Sequence, residues 1–166
     1  MYYLKNTTLA DAPLIRELAS QVWSDTYKNI LSPAQLDYMF EMMYSIESLH
    51  RQMTEGGHRF FIVWKDEVPV GYLSIEQKED KLFNFQKIYT IPSVHGQGIG
   101  RFLVESGISY LKEHYHTPFT VELYVNRSNK AVDFYKHIGF KVVDTRDHAI
   151  GNGYYMNDYI MNLEVT

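Results

Sequence analysis

The chain has 166 residues, of which 45% are hydrophobic and 15% aromatic, and its formal net charge is −4. This length and apolar content predict one α/β domain over residues 1–166 and exclude a disordered chain. The acidic balance argues against nucleic acid as a partner, because nucleic-acid-binding proteins need a basic face. The absence of cysteine excludes disulfides and a Cys-bound acyl intermediate. No signal peptide or long apolar run is visible, so we expect a cytoplasmic protein without a membrane partner.

The first third of the chain is predicted to be mostly helical. A short strand begins at Tyr2, and apolar residues at helical spacing then predict an amphipathic helix from Asp11 to about Tyr27. Ser32 before Pro33 starts a second helix. A third helix is expected from about Ile46 to Met53.

The rest of the chain alternates between strands and helices. Three strand-like runs separated by short polar turns predict an antiparallel meander: Arg59–Trp64, Val70–Glu76 and Leu82–Ile91. A helix reaches about His114. The remaining predicted elements are the strand Phe119–Val125, the helix Asn129–Ile138 and the strands Phe140–Asp144 and Tyr154–Leu163. This order indicates an α/β (α+β) fold.

The most informative segment runs from Ile88 to Arg101, where a strand leads through Gly96, Gly98 and Gly100 into a helix. Glycines let backbone amides converge, and a helix N-terminus adds partial positive charge, so the turn suits a pyrophosphate. A Walker loop is excluded because no Gly-Lys-Ser/Thr follows. A dinucleotide fingerprint would follow the first strand of a parallel sheet, which this turn does not. The alternative is that the glycines only form a tight loop.

The chain resembles the GCN5-related N-acetyltransferase (GNAT) superfamily in two motifs. The first is His95-Gly96-Gln97-Gly98-Ile99-Gly100, which matches the family signature at Gly98 and Gly100, with His95 in place of the usual Gln or Arg. The second runs from Asn126 to Phe140. The resemblance covers nearly the whole chain. It implies a mixed, mostly antiparallel central sheet of about seven strands flanked by helices, in which a splayed strand pair binds the co-substrate acetyl-CoA.

The same resemblance implies a set of cofactor-binding residues. Free backbone groups on the splayed strand are expected to pair with the pantetheine amides, and the glycine-loop amides to hold the pyrophosphate. Ser128 stands where the family usually has a pantetheine-contacting Asn, with Asn129 next to it, and His95 is expected to shape the loop or its charge. The implied residues are Ile88, Tyr89, Thr90, His95, Gly96, Gln97, Gly98, Ile99, Gly100, Arg101, Ser128 and Asn129.

Tyr135 matches the family's usual general acid. When an amine attacks the thioester, the leaving thiolate must be protonated, and a phenol with a pKa of about 10 can donate while staying protonated at neutral pH. The alternative is that Tyr135 only packs beside Phe134 and Phe140.

The general base is left open by the sequence. Relatives often carry Glu on the splayed strand, where this chain has Asn84 and Gln86, and amides can orient a water but cannot accept a proton. Other candidates are Glu76, Glu122, His148 and Asp158. The seven histidines show no metal-ligand spacing, so no metal cofactor is expected.

The acceptor site is expected between the first helices and the final hairpin, as in the superfamily. The substrate residues are predicted to be Trp23, Tyr27, Glu76 and Asp158, although core packing is the alternative for the aromatic pair. The segment around Trp23 and Tyr27 resembles the branch that includes PaiA-type polyamine acetyltransferases. For a cationic amine, Asp25, Glu41 and Asp158 are plausible anchors.

The predicted function is therefore acetyl transfer to a primary amine of a small, polyamine-like molecule or a peptide. Two alternatives are a catalytically silent module that senses acetyl-CoA or binds a protein, and a purely structural domain. A homodimer through an exposed sheet edge or an exchanged terminal strand is compatible with the sequence.

Overall fold

The computed structural model describes residues 1–166 and contains seven β-strands and five α-helices. The strands are β1 (Tyr2–Asn6), β2 (Arg59–Lys65), β3 (Val68–Glu79), β4 (Leu82–Thr90), β5 (Phe119–Asn126), β6 (Lys141–Gly151) and β7 (Tyr154–Val165). The helices are α1 (Ala12–Tyr27), α2 (Pro33–Tyr44), α3 (Ile46–Met53), α4 (Ile99–His114) and α5 (Ala131–Ile138). Short 3-10 turns precede α1 and α4.

All seven strands form one sheet in the order β1-β2-β3-β4-β5-β7-β6. Every neighbouring pair is antiparallel except β4 and β5, which run parallel. The predicted meander is β2-β3-β4. The prediction of a mixed, mostly antiparallel sheet of about seven strands is confirmed.

Helices cover both faces of the sheet and bury its apolar side chains. On one face, Trp23 of α1 packs against Tyr44 of α2, and Tyr44 packs against Tyr72 of β3. On the other face, Tyr110 of α4 packs against Phe61 of β2. The buried phenols remain hydrogen-bonded, because the Tyr44 hydroxyl lies 2.7 Å from that of Tyr72 and accepts from the Trp23 indole.

Helix starts in the first third follow the capping chemistry of the sequence. The side chain of Ser32 accepts a hydrogen bond from the amide of Gln35, and that of Ser45 accepts one from Ser48. These bonds satisfy donors that a helix end leaves without partners, which fixes where α2 and α3 begin.

Strand β6 is longer than the sequence predicted. The expected strand ended at Asp144, whereas β6 continues to Gly151 and pairs with β7 along its length. β6 is an edge strand with mostly exposed residues, so its second half is polar and lacks the apolar alternation that marks a half-buried strand. No helix has the length and apolar character needed to cross a membrane.

Gly107 sets how closely α4 approaches the sheet. A Cβ at this position would lie 2.9 Å from both Leu73 Cδ2 and Phe85 Cζ. Because only a hydrogen fits at this position, α4 packs closely against β3 and β4. β4 forms part of the site described below.

We expect Gly107→Val to lower the free energy of unfolding by about 1–3 kcal/mol, because the added methyl groups overpack the core. Valine has a higher helix propensity than glycine, so any loss of stability must come from overpacking of the core. Ser109→Val, on the exposed side of the same helix, is the matched control. Equal denaturation midpoints for the two variants would contradict this role of Gly107.

Candidate active site

The site begins where β4 and β5 separate. The two strands pair over only three positions, from Leu82 with Thr120 to Asn84 with Glu122. Beyond them, the inner edges of both strands have no strand partner, although they lie in the middle of the sheet. A β-bulge at Gln86 accompanies the separation, because Ile75 pairs with Phe85 and Ser74 with Lys87. The predicted splayed pair is therefore present.

A cleft of about 1010 Å³ opens at the splay. Its walls come from β4, β5, the C-terminal end of α1, the glycine loop and α5. It brings together most of the predicted cofactor residues: Ile88, Tyr89, Thr90, His95, Gly96, Gly98, Ile99, Gly100, Arg101, Ser128 and Asn129. The predicted acid Tyr135 lines the same cleft.

The glycine loop presents free backbone amides to this cleft. Gly96 and Gly98 have φ values of 82° and 79°, a left-handed conformation that favours glycine, and no atom lies within 4 Å of a Cβ built on either residue. The first intrahelical bond of α4 runs from Phe102 to Gly98, so the amides of residues 98–101 donate to no protein acceptor. Such a helix N-terminus attracts an anion.

The side chains of His95, Gln97 and Arg101 make different contacts around the glycine loop. The His95 ring nitrogen lies 3.1 Å from the Thr90 carbonyl oxygen, which ties the loop to the end of β4. The Gln97 side chain does not line the cleft and accepts a hydrogen bond from Lys65. Arg101 lines the cleft and pairs with Glu105 one turn along the exposed surface of α4.

Ser128 and Asn129 lie in the turn between β5 and α5. The Ser128 amide donates to the Asn126 side chain, and the Asn129 side chain accepts from the amide of Ala131, the first residue of α5. The helix α5 thus begins at Ala131 rather than at the predicted Asn129, which lies in the turn before it. Both residues border the cleft, and Asn129 Oδ1 already has a protein partner.

Tyr135 lies on α5, between Phe134 and Phe140, and its side chain is buried. Its hydroxyl makes no hydrogen bond with the protein, although the residue lines the cleft. Burial raises the pKa of Tyr135 well above its usual value, and nearby Tyr27 raises it further. The phenol therefore stays protonated at neutral pH and is able to donate.

A second, smaller pocket of about 230 Å³ lies on the other side of the splay. Four residues line both cavities: Tyr27, Gln86, Tyr89 and Tyr124. The hydroxyls of Tyr27 and Tyr89 lie 3.0 Å apart at this junction. The smaller pocket lies between α1, α2 and the β6–β7 hairpin, where the sequence predicted the acceptor site, and Trp23 and Asp158 also line it.

Lys87 of β4 projects into the smaller pocket beside the bulge. Its ammonium is buried, donates to the Gln52 side-chain oxygen at 2.7 Å and lies 5.3 Å from the centre of the Phe60 ring. Burial lowers the pKa of Lys87 to about 8. The Glu76 carboxylate opposes this lowering of the pKa of Lys87 but makes no direct ion pair with the ammonium, so the pocket wall carries a cation without a carboxylate in contact.

Glu76 lies behind this wall rather than on it. Its carboxylate accepts a hydrogen bond from Gln86 and lies 3.5 Å from His58 Nε2. Burial lowers the pKa of His58, and Lys87 lowers it further, so the imidazole is neutral near pH 7. Gln86 and His58 both line the pocket, and the Gln86 side chain is held in place by its hydrogen bond to Glu76.

Asp158 is buried on β7 and already has a cationic partner. Its Oδ2 accepts a hydrogen bond from Arg146 Nε at 3.0 Å, and the Arg146 guanidinium lies 3.8 Å from the centre of the Tyr124 ring. Burial raises the pKa of Asp158, and Arg146 opposes that change. Asp158 therefore lines the pocket as the anionic member of an ion pair with Arg146.

The remaining candidates for a base or an anchor lie in other settings. Asn84 donates to Glu122, which also pairs with Lys78. His148 is exposed on the edge strand β6. Asp25 lines the larger cleft, whereas Glu41 pairs with Arg16 and lines neither cavity.

Sequence reasoning missed His58, Lys87 and Arg146. Lys87 had a visible signal, because it alternates with Phe85 and Tyr89 in a predicted central strand, and lysine is rarely buried. His58 and Arg146 had none, since each lies in a polar segment of the chain.

Comparisons with known proteins agree with this geometry. The model of the acetyltransferase (GNAT) domain family matches residues 27–163. An uncharacterised N-acetyltransferase of Mycobacterium tuberculosis is 23% identical over 158 residues, which cover 95% of this chain and 99% of that protein.

Two solved structures with the same fold are informative. The PaiA N-acetyltransferase from Thermoplasma acidophilum in complex with coenzyme A has a TM-score of 0.82 at 22% identity, covering 99% of each chain. A variant of the spermidine N-acetyltransferase from Vibrio cholerae has a TM-score of 0.67 at 19% identity, covering 98% of this chain and 93% of that one. The chain therefore belongs to the GNAT family and is an N-acetyltransferase that takes its acetyl group from acetyl-CoA.

Proposed function

We propose that the chain acetylates a primary amine of a small molecule or a peptide by direct attack of the amine on the thioester. One observation carries the proposal: the free amides of residues 98–101, the unpaired end of β4 and the hydroxyl of Tyr135 meet in one cleft. The amides supply an anion site for the diphosphate. The β4 backbone supplies donors and acceptors that suit the two amides of pantetheine.

The proposed reaction needs one proton to leave the amine and one to reach the sulfur. The amine nitrogen attacks the thioester carbonyl carbon, a C–N bond forms and the C–S bond breaks. Tyr135 protonates the leaving thiolate. The acceptor attacks as the neutral amine, after its ammonium has lost a proton to solvent. The proton that the nitrogen releases when the amide forms passes to water held by Gln86, whose side chain is fixed by Glu76 and which lines both cavities. Solvent then returns a proton to the Tyr135 phenolate.

The acceptor class within this proposal is a small primary amine that reaches the junction of the two cavities. Polyamine-like amines are one candidate, supported by the spermidine acetyltransferase among the structural neighbours. A peptide amine is another. The cytoplasmic location and the homodimer remain predictions.

The glycine loop provides the test of cofactor placement. We expect Gly98→Glu to raise the Kd for CoA by about 100-fold or more, because a carboxylate repels the diphosphate and each lost charge-assisted bond is worth about 1.5–3 kcal/mol. Calorimetry with purified protein gives the Kd, and circular dichroism checks the fold.

Gly98→Ala is the matched control, since it carries the same left-handed backbone strain without the charge. It should keep most of the CoA affinity. Equal CoA affinity for wild type and Gly98→Glu would mean that the diphosphate binds elsewhere.

The hydroxyl of Tyr135 provides the test of catalysis. We expect Tyr135→Phe to lower kcat by about 10²- to 10⁴-fold, the usual contribution of a general acid, with the Kd for CoA unchanged. Tyr110→Phe, on α4 and outside both cavities, is the control and should keep wild-type turnover. Undiminished turnover in Tyr135→Phe would leave this phenol with a packing role, and a wild type that binds CoA but acetylates nothing would favour a sensor.

A further inference from the structure

The charges of the smaller pocket point to a narrower acceptor class, an inference that rests on the proposed function. Its charged lining consists of two cations, Lys87 and Arg146, and one carboxylate, Asp158. Because Asp158 pairs with Arg146, no free carboxylate faces the pocket. A polycationic acceptor would therefore meet a lining whose net charge is positive, because the Arg146–Asp158 pair is neutral as a whole and Lys87 adds a cation.

Lys87 forms the first half of an anion site. Its side chain is more than nine-tenths buried, and Gln52 provides its one protein hydrogen-bond acceptor. An ammonium has three donor hydrogens, so two of them lack a protein partner. Glu76 acts on this ammonium without hydrogen bonding to it, and the rings of Tyr44 and Phe60 lie beside it, so an anion in the pocket would stabilise the buried cation further.

Arg146 forms the second half. It donates to Asp158 through Nε alone, which leaves both Nη groups without a protein acceptor. The guanidinium stacks on Tyr124, a residue that lines both cavities, so the free edge is held near the junction. Two parallel N–H groups in a fixed plane match the two oxygens of a carboxylate.

Apolar side chains make up most of the rest of the wall, beside the polar residues Gln52, His58, Gln86 and Asn126, and the volume is small. Met39, Met42, Met43 and Met156 line it together with Leu31 and Trp23. At about 230 Å³ the pocket is below the range of drug-sized sites, so it fits a molecule of amino-acid size. Flexible methionine side chains adapt to differently shaped apolar groups.

We propose that the acceptor is a small apolar amine that also carries a carboxylate, as an apolar amino acid does, and that Lys87 and Arg146 bind the carboxylate while the amine lies at the junction. Asp158 then serves to hold Arg146 in place rather than to attract a cation. In this arrangement the acceptor's charge is paired within the pocket and its amine faces the thioester.

The proposal is tested with pairs of amines in which the carboxylate is replaced by hydrogen or by a methyl group. Leucine is compared with isoamylamine, ε-aminocaproate with hexylamine, and spermidine serves as the polycation. CoA release is measured with acetyl-CoA and the wild-type protein. We expect kcat/KM for the preferred carboxylated member to exceed that of its partner and of spermidine by at least about tenfold, as one charge-assisted contact provides.

Two variants test whether Lys87 and Arg146 cause the preference for a carboxylated amine. Lys87→Met removes the buried charge at similar volume and should raise KM for the carboxylated amine about tenfold or more, with a much smaller effect on the partner amine that lacks the carboxylate. Arg146→Lys keeps a cation beside Asp158 but loses the paired Nη groups, so it should raise the same KM. Lys112→Met, exposed on α4, is the control and should match wild type.

The outcomes separate this proposal from acetyl transfer itself. Faster acetylation of spermidine, isoamylamine or hexylamine than of the carboxylated amines overturns the acceptor class and keeps the acetyltransferase. A loss of kcat for every amine in Lys87→Met would make Lys87 part of the proton path and would also overturn its role as an anion site. No acetylation of any amine by a protein that binds CoA removes both proposals.

Discussion

The separation of β4 and β5 is the constraint on which both cavities depend. Buried backbone N–H and C=O groups cost free energy when unpaired, so a sheet rarely opens in its middle. Here the strands pair for three positions and then diverge, and the bulge at Gln86 changes which side chains face α1 and α2. The larger cleft provides room for a ligand with its own amides to complete the sheet, and the smaller pocket lies across the same opening.

The two cavities meet at residues whose positions are fixed by the fold. Tyr27 comes from α1, Gln86 and Tyr89 from β4, and Tyr124 from β5, and all four line both cavities. An acyl donor in one cavity and an amine in the other would come together there. Tyr135 reaches the donor side from α5, where burial and nearby Tyr27 raise its pKa and so preserve its proton. Preorganisation of this kind costs no rearrangement during the reaction.

Much of the fold was predictable, because local chemistry decides it. Ser32 and Ser45 cap the helices that follow them, and Gly98 takes the left-handed conformation that precedes α4. The second half of β6 was missed because an edge strand needs no apolar alternation. The ion pair of Asp158 with Arg146 could not be predicted either, because it depends on the register of β6 against β7, which the sequence does not encode locally.

The same pairing explains why net charge is a poor guide to the acceptor. A formal charge of −4 is compatible with a cationic substrate, and Asp25, Glu41 and Asp158 were the predicted anchors for a cationic amine. Each of these carboxylates has a basic partner: Lys28, Arg16 and Arg146 respectively. Excess acidic residues elsewhere affect solubility and long-range steering, whereas recognition depends on the charges that a pocket leaves unpaired. In the smaller pocket the Lys87 ammonium is the charge in excess of the Arg146–Asp158 pair, so the net charge of the pocket lining is opposite in sign to that of the whole protein.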